Sequence, residues 1–150
     1  MNHGDFIASL TVLTLVAVAV LWDSLEGSAR LDAEPIAILN PALWPWSISG
    51  LYVLIAARAA LSIKIFIAGH WTTAMAIVNT TLAILFMSLM TTLLGRGELI
   101  NPELILAATE YSASTDMPRS LALIAGFTIV GFASWSIAIG WRRTARTSNR

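Results

Sequence analysis

Cysteine is absent from all 150 residues. That excludes a disulfide framework, an iron–sulfur site and a thiol nucleophile. Charge is scarce. Only 12% of residues are Asp, Glu, Lys or Arg, against about 25% in an ordinary soluble domain. The formal net charge is zero, so no basic excess points to nucleic acid as a partner. His3 and His70 have no acidic neighbours at metal-ligand spacing. No glycine-rich phosphate loop and no nucleophile elbow occurs. The acids Asp23, Glu26, Asp32 and Glu34 read as a solvated loop rather than an acid–base pair. Neither catalysis, a metal nor another cofactor is expected.

What the sequence has in quantity is apolar surface: 57% hydrophobic residues and a mean hydropathy of +0.74. A chain this short cannot hide that much in one aqueous core. The solvent left for it is lipid. A hydrocarbon core of about 30 Å takes roughly 20 apolar residues as a helix, and four segments qualify: Phe6–Trp22, Leu43–Ile63, Thr72–Leu94 and Leu121–Trp141. Each is an unbroken apolar run, not the alternation of a membrane β-strand, and a helix satisfies its own backbone in lipid. Met1–Asp5 carries no Lys or Arg, and the first run is span-length, so it reads as a retained helix rather than a signal peptide. The short turn at Ala68-Gly69-His70 makes spans two and three an antiparallel hairpin. The expected fold is all-α: one membrane domain over residues 1–150, a four-helix transmembrane bundle.

Basic residues set the expected orientation. Arg142, Arg143, Arg146 and Arg150 crowd the tail, and Lys64 and His70 flank the short turn. The two long connections are acidic on balance: Arg30 against Asp23, Glu26, Asp32 and Glu34 in one, Arg96 and Arg119 against Glu98, Glu103, Glu110 and Asp116 in the other. Both termini and the Lys64 turn are therefore expected on the cytoplasmic side, with both long connections outside. Trp22, Trp44, Trp46 and Tyr111 fit an outer aromatic belt, Trp71 and Trp141 an inner one.

The long connections carry structure of their own. Asn40-Pro41 and Asn101-Pro102 each read as an N-cap with Pro at the first helical position. The stretches around them echo each other, Leu39-Asn40-Pro41-Ala42-Leu43 and Ile100-Asn101-Pro102-Glu103-Leu104. After Pro102, Leu104, Ile105, Ala108 and Tyr111 share a helical face, which predicts a short amphipathic helix at the outer surface. Ser112 to Met117 reads as a loop.

Inside the spans polar residues are few. Arg58 lies six residues before Lys64, roughly 9 Å by helix rise. The simpler expectation is that it snorkels to the cytoplasmic headgroups. The alternative is a buried cation paired with a neighbour or an anionic substrate. Asn79, at similar depth on the antiparallel span, is its natural partner, and an interhelical hydrogen bond is favoured there over transport chemistry. Thr80, Thr81, Ser88, Thr91 and Thr92 read as helix-bonded hydroxyls. Span four has small residues four apart, Ala122 with Gly126, Ser134 with Ala138 and Ser136 with Gly140. This spacing serves close packing inside the bundle or against a partner.

Two resemblances follow from these residues. Asn40-Pro41-Ala42-Leu43-Trp44-Pro45, then Gly69-His70-Trp71-Thr72 with Asn79, then Asn101-Pro102, resembles the membrane part of bacterial proteins carrying the HAAS signalling domain, the permease-prefix proteins. Those often show Gly-Arg-Trp-Thr at the hairpin turn, an Asn in the next span and an Asn-Pro after it. The likeness covers spans two and three. The helical prefix that names the family is lacking here. Asn40 to Pro45 is also similar to the Gly-Pro-x-x-Phe-Pro that leads into helix two in the small four-helix subunit of tripartite tricarboxylate transporters, although the Gly is missing. The expected function is a non-enzymatic accessory or regulatory membrane subunit, with a solute-transporter subunit as the alternative. The expected partners are the bilayer and another integral membrane protein or a second copy.

Overall fold

The computed structural model describes residues 3–31, 34–112 and 116–148. Its long helices are α1 (His3–Glu26), α2 (Trp46–Ala68), α3 (Thr73–Gly95) and α5 (Met117–Ser148), with a shorter α4 (Pro102–Ser112). The four long helices are each long and apolar enough to cross a membrane, and the protein is a multi-pass membrane protein with an all-α bundle. The 24 residues of α1 and the 23 of α2 and α3 make rods of about 35 Å, matched to a hydrocarbon core. With 32 residues, α5 is about 48 Å long, and its last turns carry Arg142, Arg143 and Arg146. Among the long helices the packed pairs are α1 with α2, α2 with α3 and α3 with α5, and α4 rests on α5. One end of the bundle holds the α2–α3 turn, the start of α1 and the end of α5, here the turn end. The opposite, loop end holds α4 and the first long connection.

Local chemistry explains most boundaries. α2 closes on Gly69, in the left-handed region, whose N–H bonds the carbonyls of Ile65 and Phe66. α3 opens on Thr72, whose hydroxyl accepts from the Met75 N–H. Both Asn-Pro caps form. The Asn40 side chain accepts from Ala42 N–H over a 3-10 turn, Pro41–Leu43, and the Asn101 side chain accepts from Glu103 N–H at the start of α4. The first cap thus starts a separate turn, and α2 begins three residues later than its hydropathy suggests. α4 matches the expected amphipathic helix, with one correction. Leu104, Ile105 and Ala108 are half-buried, whereas Tyr111 stands 96% exposed near the helix end. In the stretch read as a loop, α5 already begins at Met117, and residues 113–115 lie outside the described residues.

In the first long connection Glu26 and Glu34 are exposed as the sequence suggests and Asp32 lies outside the described residues, but Asp23 is not solvated and the segment is not a plain loop. It contains a two-stranded hairpin, β1 (Ala29–Leu31) with β2 (Glu34–Ile36), antiparallel, Arg30 opposite Pro35. Asp23 is buried and organises it. One carboxylate oxygen accepts from the amides of Ser28 (3.1 Å) and Ile38 (2.9 Å), the other from Leu39 (2.8 Å). Charge-assisted bonds of this type are stronger than neutral ones, and they satisfy three amides that the turn itself leaves unpaired. Gly27 closes α1 at φ +72°, and a Cβ there would lie 2.7 Å from the Ile36 carbonyl carbon. Only glycine lets the hairpin fold back this closely.

The two Asn-Pro segments meet. Leu39 lies opposite Ile100 in an antiparallel bridge. Asn40 N–H donates to the Leu99 carbonyl at 3.2 Å, Asn101 N–H to the Ile38 carbonyl at 2.9 Å, and Asn101 Nδ2 to the Ala37 carbonyl at 3.0 Å. The sequence echo is therefore also a spatial pairing across the loop end.

Two apolar clusters fill the bundle. Leu43, Ile48, Leu51, Met90, Leu93 and Leu99 pack at the loop end, and Leu61, Ile65 and Met75 at the turn end. α1 leans on α2 through Tyr52, whose hydroxyl donates to the Ala17 carbonyl (2.9 Å), through Ser9 and Ser62 (3.1 Å), and through stacked Phe6 and Phe66 (4.2 Å between centroids).

Asp23→Ala leaves three part-buried amides without their acceptor and is expected to cost about 2–3 kcal/mol. Gly27→Ala forces a left-handed alanine against the Ile36 backbone and is expected to cost about 2–4 kcal/mol. Because both act on one hairpin, the double variant should lose less than the sum. Thermal unfolding in detergent, read on the four proteins together, measures all three values.

Candidate functional site: a half-buried arginine beside an apolar cavity

Arg58 stands near the middle of α2, twelve residues after Trp46 and ten before Ala68, about 18 and 15 Å from the two ends. Its guanidinium does not snorkel, which corrects the simpler sequence expectation. Helical side chains lean toward their own N-terminus. For α2 that is the loop end, away from the headgroups a snorkelling Arg58 would have to reach. The guanidinium instead crosses the bundle at its own depth. Nη1 donates to Asn79 Oδ1 on α3, and Nη2 donates to Ser136 Oγ on α5 at 2.9 Å. Asn79 Nδ2 then donates to the Ser136 carbonyl at 2.9 Å. Asn79 is 1% exposed. One polar layer therefore joins α2, α3 and α5 between the two apolar clusters.

The small residues of span four divide between two uses. Gly140 lets α5 close onto Asn79, since a Cβ there would sit 2.8 Å from Asn79 Nδ2 and 3.3 Å from Trp71 Cζ3. A Cβ on Gly126 would touch Leu94 of α3 at 3.6 Å, and Ala122 is half-buried. Gly126, Ser136 and Gly140 thus serve packing inside the bundle, against α3. Ser134 and Ala138 are exposed on another face of α5. Trp141 Nε1 donates to Thr80 Oγ1 at 3.1 Å, while Trp71 Nε1 is buried without a hydrogen-bond partner.

Beside Arg58, toward the loop end, lies a cavity of about 170 Å³. Val16 of α1, Leu54 and Ile55 of α2, Phe86 of α3 and Phe132 of α5 wall it, Arg58 and Ser136 are the polar residues along it, and nearly all of the surface it presents is carbon. No carboxylate pairs with Arg58 among the described residues. The ion pairs that are described lie elsewhere: Arg96 with Glu98 (2.9 Å), and Arg143 of α5 with Asp5 of α1 (3.4 Å).

No protein-family model, curated protein or solved structure matches this chain. Its chemistry therefore has to be read from these side chains.

What this arrangement offers is a place for charge to be held. A guanidinium keeps its proton, and its charge amid apolar walls favours an anion or fixed dipoles. Asn79 and Ser136 supply two dipoles. No three His, Asp or Glu residues converge to hold a metal among the described residues. His3 packs edge-on against Phe66, and His70 Nδ1 sits 2.8 Å from the Ala68 carbonyl oxygen. The sequence brings Arg58 and Asn79 together correctly but treats Ser136 only as a small residue. A depth count would have found it. Ser136 precedes Arg142 by six residues, as Arg58 precedes Lys64 by six.

Gly140→Ala should push the Asn79 amide off Arg58 and Ser136 and cost about 1–3 kcal/mol. Gly131→Ala, with nothing within 4 Å of the new methyl, should leave stability unchanged or raise it slightly. Thermal unfolding of the two variants in the same detergent checks the contrast.

Proposed function

We propose that this protein is a small, non-enzymatic integral membrane protein that serves as an accessory or regulatory subunit of a larger membrane complex. In this reading it resides in the bacterial cytoplasmic membrane with both termini in the cytoplasm. The observation that carries it is the state of α1. That helix is pinned near the loop end by Asp23 and near the turn end by Phe6–Phe66 and Asp5–Arg143. Yet Asp23 is its only buried residue among those described. Ile7, Leu15, Val18, Trp22 and Leu25 recur at helical spacing and all face outward. A helix fixed in place but left uncovered offers a rigid apolar flank. In lipid such flanks associate through van der Waals fit, here with another membrane protein or with a second copy.

A second reading is a small membrane subunit of a tripartite-type secondary solute transporter. Arg58 at the floor of a cavity supports it, because an ionisable group inside a membrane bundle marks a site for substrate or counter-ion.

A photo-crosslinking residue at Val18 is expected to give one discrete protein adduct in native membranes. Labelling of lipid alone would remove the accessory-subunit reading. For orientation, a fluorescent protein fused at the C-terminus should be bright and an alkaline phosphatase fused there silent, since the first needs the cytoplasm and the second the exterior.

A further inference from the structure

We propose that the cavity beside Arg58 is a binding site for a compact hydrophobic monocarboxylate, an apolar body of benzene-like size bearing one carboxylate. The proposal goes beyond the accessory-subunit reading and stands whether the protein works alone or in a complex.

Three observations carry it. The first is charge. Arg58 has five N–H donors in a planar fork. The structure spends one on Asn79 and one on Ser136, both neutral, which leaves three donors and a full positive charge. A carboxylate meets both needs, because it takes two parallel N–H bonds from a guanidinium. A monoanion cancels the charge, whereas a di- or trianion would carry its excess into a site with no second cation: Lys64 lies a further six residues along α2, and Arg58 is the one basic residue among those lining the cavity.

The second is the wall. Leu54, Ile55, Phe86 and Phe132 offer no hydrogen bond to a hydroxylated or multiply charged solute. A polar body would lose its hydration there without replacement. An apolar one loses nothing and gains the aromatic edges of Phe86 and Phe132, which stand 6.2 Å apart at 66°.

The third is size and access. A dry cavity of about 150 Å³ accepts benzene, and this one is about 170 Å³. The long helices pack in the order α1, α2, α3, α5. α1 and α5 both line the cavity but do not form a packed pair, and Asp5–Arg143 ties them at the turn end. The proposed way in is the seam between them, sideways from lipid, where hydrophobic acids partition.

The test uses the full chain in phosphatidylcholine nanodiscs, with 4-fluorobenzoate as the probe, followed by fluorine NMR against empty nanodiscs. Saturable one-to-one binding is expected, with neutral 4-fluorotoluene and acetate each binding roughly tenfold more weakly or worse. Arg58→Gln should weaken 4-fluorobenzoate by roughly tenfold or more. Leu54→Trp, which fills the cavity and leaves Arg58 in place, should abolish binding even if Arg58→Gln fails to fold. Absence of saturable binding to the native protein would overturn the proposal. So would equal binding of 4-fluorotoluene, or undiminished binding to Leu54→Trp.

Discussion

A guanidinium in the middle of an apolar helix cannot neutralise itself by losing its proton, so the helices around it must accommodate the charge. In this protein that requirement sets the bundle's internal register. Arg58 reaches Asn79 on α3 and Ser136 on α5, and Asn79 closes the triangle through the Ser136 carbonyl. A slide of α5 by one turn would take Ser136 out of reach and move Gly140 from the one place where α5 can close on Asn79. Apolar packing on either side, around Leu51 and Met90 or around Ile65 and Met75, tolerates such slips far better, because dispersion forces are nearly non-directional. The polar layer fixes which leucine meets which.

A second fixed point lies at the loop end, where the helices leave the hydrocarbon and the backbone must find partners again. Asp23 receives three amides, and the two Asn-Pro segments exchange backbone bonds across Leu39 and Ile100. Each asparagine caps the helical turn that follows it while its own N–H crosses to the opposite segment. The connection after α1 is thereby tied to the connection after α3. The loop end closes as one unit, although its two halves are separated by the whole α2–α3 hairpin.

Much of this was legible in the residues. Span number, the Gly69 turn, both asparagine caps, α4 and the Arg58–Asn79 pairing follow from hydropathy, caps and depth, all of which are local or additive along a helix. What was not legible depended on contacts between distant segments. Asp23 looked like one acid among four in a polar loop, because nothing in its neighbourhood reveals that Ile38 and Leu39 return to it. The β1–β2 hairpin has only three residues per strand, too few for alternation to register. Arg58 looked more ready to snorkel than to pair, and only the lean of α2 side chains toward the loop end, together with Ser136 waiting on α5, decides against it.

The node also bears on how the chain enters the bilayer. During synthesis α2 emerges before either of its partners: Asn79 follows Arg58 by 21 residues and Ser136 by 78. On insertion scales an arginine at the centre of a lone helix costs about 2.5–3.5 kcal/mol. The hairpin turn at Gly69 shortens that exposure, since α3 can enter beside α2 and deliver the Asn79 amide at once. Ser136 arrives last and completes a site already half built. α2 and α3 are therefore the natural co-inserting pair, and α5 the helix whose arrival locks the assembled bundle.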